Sequence, residues 1–364
     1  MSTFGSYAAH EVTWLLTDLS AVPLEQDLGS RERQIQDGRP YFEMLPVEYQ
    51  PDQTYLDHFH ASLAVTAGRV ARAVAVVSEQ VLTETGGPPV LVSLARAGTP
   101  IGILMRRWYQ QAHGLEVPHY AISILRGGGI DTAALDHVLA RHEAAQVQFV
   151  DGWTGKGAII RELQTAITEY VEQHPSARGL RSHLAVLADP GSCTHLFGTR
   201  EDFLIPSACL NSTVSGLVSR TVYRKDLIAP GAFHGAKFYA ELAGDDVSNL
   251  YLDTVSAAFP DPASALVVEG DRTPTWAGWA AVETIAAEYG LTNLNLVKPG
   301  VGETTRVLLR RIPWQVLVRP ADRAGLAHVE QLAKDRGVPV VERADLPYAC
   351  VGLIRPTGTS GDDA

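Results

Sequence analysis

FVDGWTGKGAIIREL, residues 149–163, decides how the rest of the chain is read. An apolar lead ends in Asp151, the glycines Gly152, Gly155 and Gly157 crowd around Lys156, and an apolar pattern with helical spacing follows. That order predicts strand, loop and helix. Successive glycines let main-chain N–H groups turn toward one point with no Cβ in the way. The positive end of the next helix adds to them, so a phosphate is the natural guest. Thr154 and Lys156 add a hydroxyl and a cation, while Asp151 suits sugar hydroxyls or a magnesium ion. A nucleoside triphosphate loop fits less well, because that motif separates its glycines by four residues. The plainer alternative is a strand-to-helix turn whose glycines serve only the backbone.

Working outward, VLVSLA (90–95), HYAISIL (119–125) and LAVLAD (184–189) also read as buried strands, each followed by a polar or glycine-rich loop. Helical patterns separate them, and residues 55–82 before them predict one long helix with Arg69 and Arg72 on its polar side. Strands alternating with helices imply a doubly wound parallel sheet, whose ligands sit beyond the carboxyl ends of the strands. SLARAGTPIG (93–102) repeats the strand-loop-helix setting, with Arg96 and the N–H groups of Ala97, Gly98 and Thr99 placed for a second polyanion. Arg126 opens RGGGID, whose glycines suit a mobile flap. FHGAKFY brings His234, a candidate general base, near Lys237, and NSTVSGLVSR adds Asn211, Ser212, Ser215 and Arg220.

The chain has 364 residues, 46% of them hydrophobic, enough for two or three domains with a large core. A formal net charge of −11 argues against indiscriminate binding to nucleic acid or anionic membranes and confines any RNA contact to a local face. Its three cysteines form no CxxC pair, so neither a disulfide framework nor a cysteine zinc site is indicated. With no basic leader before an apolar run, and apolar stretches that charges interrupt, the expectation is a soluble cytoplasmic protein; oligomerisation is left open.

Composition divides the chain into an N-terminal cap (1–54), an α/β domain (55–259), a proline-containing linker (260–277), a small α/β domain (278–356) and a disordered tail (357–364). In the small domain, KPGVGETTRVLLRR sets Gly300, Gly302 and Glu303 at a turn into a helix, followed by Arg306, Arg310 and Arg311. Such a turn lets a backbone approach phosphates, Glu303 can accept from a base edge, and the arginines supply charge. A capped helix with a solvated arginine face is the rival reading. Of the cysteines, Cys193 in DPGSCTH has His195 two residues on and Asp189 nearby, whereas Cys209 and Cys350 keep apolar company.

LVSLARAGTPIGILMRR resembles the pyrophosphate loop of type I phosphoribosyltransferases, and VQFVDGWTGKGAII resembles their phosphoribosyl-pyrophosphate loop. More closely, residues 10–259, with LADPGSC, NSTVSGLVSRTV and FHGAKFY, resemble the bacterial phosphoribosyltransferase-like family also labelled cysteine protease StiP, associated with tellurium-resistance-type stress gene clusters. KPGVGETTRVLLRRIP to VPVVERADLPYACVGLI resembles the Pelota-type RNA-binding domain, an α-β-α unit. The resemblance implies a magnesium-dependent enzyme acting on phosphoribosyl pyrophosphate in the synthesis of a nucleoside-like metabolite. In it, Asp151 holds the ribose and metal, and Gly152, Trp153, Thr154, Gly155, Lys156, Gly157 and Ala158 cradle the 5-phosphate. Arg96, Ala97, Gly98 and Thr99 meet the pyrophosphate; Arg126, Lys237 and His234 assist. Gly300, Gly302, Glu303, Arg306, Arg310 and Arg311 would contact structured RNA. The loop departs from the transferase pattern in carrying Gly152 where a second acid is usual. Two alternatives stand beside this expectation: a non-catalytic nucleotide- or RNA-sensing protein, and a cysteine peptidase using Cys193.

Overall fold

A computed structural model describes residues 4–26, 40–48, 50–264 and 271–356; the side chains of Tyr41 and Arg310 lie outside that description, as do the expected tail and part of the expected linker. The main sheet has six strands: β1 (Thr13–Trp14), β2 (Val90–Leu94), β3 (His119–Ile122), β4 (Val147–Trp153), β5 (Leu184–Ala188) and β6 (Leu196–Thr199). They lie in the order β1-β3-β2-β4-β5-β6, and every pairing is parallel. The order reverses between β2 and β4, so the loops after these neighbouring strands flank the point where such sheets place ligands. Part of the expected N-terminal cap is thus sheet: β1 is its edge strand.

Helices cover both faces. On one lie α1 (Gln53–Thr85), α2 (Thr99–His113) and, late in the chain, α5 (Ser248–Ala257); on the other lie α3 (Thr132–Leu139) and α4 (Ala158–Gln173). Asp52 caps α1 by accepting from the Tyr55 N–H, and Gly86, in the left-handed conformation, ends it. By length and composition α1 could cross a membrane, but most of its apolar window is buried inside the fold. It is a core helix, and Arg69 and Arg72 are on its exposed side. The α2 N-terminus approaches the sheet so closely that a Cβ on Gly98 would stand 2.4 Å from the Val150 carbonyl oxygen.

The second domain packs α6 (Ala277–Glu288), α7 (Val301–Arg310) and α8 (Ala327–Asp335) around a sheet of β7 (Val297–Pro299), β8 (Pro313–Val318), β9 (Val340–Glu342) and β10 (Cys350–Ile354). The strand order is β7-β10-β8-β9, with β8 and β9 parallel and the other pairs antiparallel. Helix α6 closes a small core on one face, whereas Val301, Leu308 and Val329 from α7 and α8 join the core that α1 and α2 build in the first domain. Apolar burial therefore runs from one domain into the other.

Candidate functional site

The two loops expected to meet do so. The loop after β2 presents Arg96 and Ala97, the end of β4 and the turn into α4 present Asp151 to Ala158, and the second domain faces both with Lys298, Pro299 and Glu303. Two adjoining clefts result. The smaller, about 220 Å³, is floored by Thr154 to Ala158; the larger, about 850 Å³, is edged by Arg96, Arg126, Arg220, Lys298, Arg306 and Arg311. Asp151 lines both.

Burial lifts the Asp151 carboxyl from its ordinary 3.8 to about 7, against the pull of the Gly152 N–H, which donates to it at 2.7 Å. A carboxyl so placed, held protonated by burial and already bonded to its own loop, with Glu48 and Glu303 paired to arginines, is a poor donor set for magnesium, which needs several hard oxygen ligands. Lys156 does not point at the clefts' anion position alone: its Nζ donates to the Leu294 carbonyl at 2.7 Å and to Asn295 Oδ1 at 3.3 Å in the second domain. Burial, with Lys298 and Arg126 nearby, lowers its pKa to about 8.

Other expected groups have tasks of their own. Lys237 pairs with Glu25, the His234 ring bonds Ser123 Oγ while the His234 main-chain N–H donates to Asp131, and neither side chain lines these clefts. The glycines after Arg126 form no free flap. Residues Ile124–Leu125 and Gly129–Ile130 pair antiparallel, and Glu162 on α4 accepts from the N–H groups of Gly127 and Gly129 at 2.8 and 3.0 Å. In the second domain, Gly300 and Gly302 face the first domain, where added Cβ atoms would meet Trp153 and Ala208. Arg306 donates to the Ala208 carbonyl at 2.8 Å and pairs with Glu303 at 3.1 Å. Burial alone would raise the Glu303 carboxyl, but Arg306 and Lys298 outweigh it and hold it below its ordinary value. Arg311 is exposed at the cleft.

Behind the floor of the smaller cleft lies Cys193. Its Sγ is 3.4 Å from the Gly191 carbonyl oxygen and 3.9 Å from that of Gly155, and the residue is 2% exposed. Fully buried Asp189 organises this loop: it accepts from the N–H groups of Cys193 and Thr194 at 2.9 Å, from the Thr154 hydroxyl and from the Arg200 guanidinium. Burial, reinforced by the Asp189 charge, pushes the Cys193 thiol up to about 12. His195 is not its partner. The stretch from Asp189 to His195 runs back from the carboxyl end of β5 to the amino end of β6, and His195 Nε2 lies 2.9 Å from Glu84 Oε2 there.

The second domain closes over the loop that carries Cys193, through two main-chain N–H groups and one tyrosine hydroxyl. Trp276 N–H donates to the Ser192 carbonyl at 2.9 Å, Gly278 N–H to that of Gly191 at 3.0 Å, and Tyr348 Oη to that of Gly155 at 3.0 Å. Asp202, beyond β6, accepts from Val301 N–H at the start of α7 and from Ala349 N–H, both at 2.9 Å. These anchors escaped sequence reading. Asp202 sits in an ordinary RED run, and Tyr348 is nearly two hundred residues from its partner; only a known domain contact would single either out.

Residues 5–256 match the family described as "Tellurite-like stress resistance cysteine protease StiP", and residues 276–356 match the "PELOTA RNA binding domain". The curated "Cysteine protease StiP" of Acinetobacter baylyi is 34% identical over 379 residues, covering 97% of this chain and 94% of that protein. No solved structure matches. These matches overturn the expected phosphoribosyltransferase activity, because the family and the relative are both described as a cysteine protease. Nothing in them supports the type I phosphoribosyltransferase fold or phosphoribosyl pyrophosphate as a partner.

Proposed function

We propose that this chain, which belongs to the StiP family of tellurite-like stress resistance cysteine proteases, is a thiol peptidase whose nucleophile is Cys193 and whose second domain keeps that thiol covered at rest. One observation carries the assignment. Cys193, itself at the edge of a buried apolar cluster, is framed by Asp189, Arg200 and Thr154 directly behind a cleft loop, whereas Cys209 and Cys350 lie in the core that the two domains share.

A peptidase thiol must reach a carbonyl carbon, form an acyl-thioester as the amine leaves, and surrender the acyl group to water. The covered Cys193 can do none of this, since burial, the largest cause of its raised pKa, also denies it substrate. Separation of the second domain reduces that burial, and Arg200 and Arg161 then favour thiolate against the Asp189 charge. The test is hydrolysis of an unfolded protein substrate such as casein. Cys193→Ala abolishes it and iodoacetamide blocks it, while Cys209→Ala and Cys350→Ala retain it. Turnover that survives Cys193→Ala sinks the assignment.

RNA is the proposed partner of the second domain. The observation favouring it is the ring of cationic side chains on the larger cleft, Arg126, Lys298, Arg306 and Arg311 among them, in a chain that is acidic as a whole.

A further inference from the structure

At the end of the sheet away from the clefts, β5 and β6 are each entered through the same tripeptide pattern, Ser182-His183-Leu184 and Thr194-His195-Leu196. The strands are parallel neighbours, with Ala185 beside Leu196, so the two histidines reach the same edge. Glu84, in the last turn of α1, meets them from above. His183 Nδ1 lies 2.6 Å from Glu84 Oε1 and His195 Nε2 lies 2.9 Å from Glu84 Oε2. The imidazole rings stand perpendicular with centroids 4.5 Å apart.

We propose that Glu84, His183 and His195 form a site for a zinc-class divalent cation, three protein ligands with one position open to solvent. The donor atoms lie within 4.8 Å of one another. Zinc holds imidazole nitrogen at about 2.0–2.1 Å and carboxylate oxygen at about 2.0–2.2 Å, so tetrahedral donors stand about 3.3 Å apart. Rotation of the three side chains is required to close that difference. Two imidazoles and one carboxylate suit a borderline cation and discriminate against magnesium and calcium, which take oxygen ligands.

The setting favours ligation over a simple ion pair in two respects. All three ligands are carried on or beside regular elements already packed together, two adjacent strands and the helix lying over them, so their entropy is largely spent. The neighbouring cation, Arg181, leaves the Glu84 carboxylate alone. It donates instead to the main-chain carbonyls of Glu84 and Ala145 at 3.0 and 2.8 Å, which fixes the end of α1. The side chains of His183, His195 and Glu84 are 43%, 29% and 20% exposed, so an ion can enter without unfolding. The site is independent of the thiol chemistry, for His195 faces away from the Asp189 frame.

The experiment titrates the chelator-treated full chain with zinc chloride against a chromophoric competitor. About one equivalent binds, and Tm rises with zinc concentration. His183→Ala and His195→Ala each weaken binding by about 100-fold or more, exceeding the roughly 10–100-fold cost of removing an outer partner. Cobalt supplies a second readout that does not depend on stability: the folded wild type gains visible d–d absorption, and folded His195→Ala does not. Zinc affinity unchanged in both histidine variants, or lost only when cysteines are replaced, overturns the site.

Discussion

Gly278→Ala tests whether the second domain is what shields Cys193. A Cβ at position 278 would stand 2.1 Å from Tyr348 Oη, 2.6 Å from Gly191 Cα and 2.9 Å from the Gly155 carbonyl oxygen. Two of these neighbours are backbone, so the contact is relieved by the domains moving apart. Overpacking of this kind costs about 1–3 kcal/mol. The contact also strains the Gly278-to-Gly191 and Tyr348-to-Gly155 hydrogen bonds, each worth about 1 kcal/mol. If Cys193 is labelled only through separation of the domains, 1–3 kcal/mol raises its labelling rate about 5- to 150-fold. Pulsed iodoacetamide labelling read peptide by peptide by mass spectrometry measures this. Cys209 and Cys350 belong to the core that the two domains share, so an unchanged far-UV circular dichroism spectrum is the control for global unfolding. A Cys193 rate that stays at the wild-type value in the folded variant refutes the reasoning.

Two further outcomes follow from charge. The folded protein holds the Asp151 proton up to about pH 7 while the unfolded chain releases it near 3.8, so this group's stabilising contribution is complete below about pH 4 and lost as pH rises through 7. At about 1.4 kcal/mol per pH unit the difference is at most about 4 kcal/mol, reduced by solvent in the cleft. Urea unfolding at pH 4.5 and 8 should therefore show wild type losing stability relative to Asp151→Asn; parallel behaviour contradicts the assignment. For RNA, Arg311→Ala should weaken retention and lower the slope of log affinity against log salt by about 0.9 for a duplex phosphate contact, and an unchanged slope removes Arg311 from the interface.

The four inner strands of the parallel sheet were legible because each is a short apolar run followed by a polar or glycine-rich loop, whereas β1, two residues within the expected cap, and β6, LFGT, carry too little apolar pattern to be read as strands. FVDGWTGKGAIIREL is, as expected, strand, turn and helix: the end of β4, the turn and the start of α4. The overturned transferase expectation leaned on its glycines, and glycines report where a backbone is approached, not by what. Here the approaching bodies are Pro299, Trp276 and the DPGSC loop as much as any anion. The same holds for Gly300 and Gly302, whose small size admits Trp153 and Ala208. Cys193 and His195, two residues apart, looked like a local pair. The return of the chain along β5 sends them to different places, and a linear spacing carries no sign of that reversal. Glu84 could not have been joined to His183 and His195 before the end of α1 was known to lie over the strand starts.

The seam at Gly155, Gly191 and Gly278 also bears on how freely this protein's parts can be exchanged. Interfaces built from side chains can be retuned by compensating substitutions on either partner. One in which three main chains touch, with a hydrogen bond from Gly278 to Gly191, offers no such freedom. A different RNA-binding unit grafted at residue 276 would have to bring its own glycine and its own tyrosine to the same places. Exchanging one half of this chain thus means rebuilding the seam on both sides.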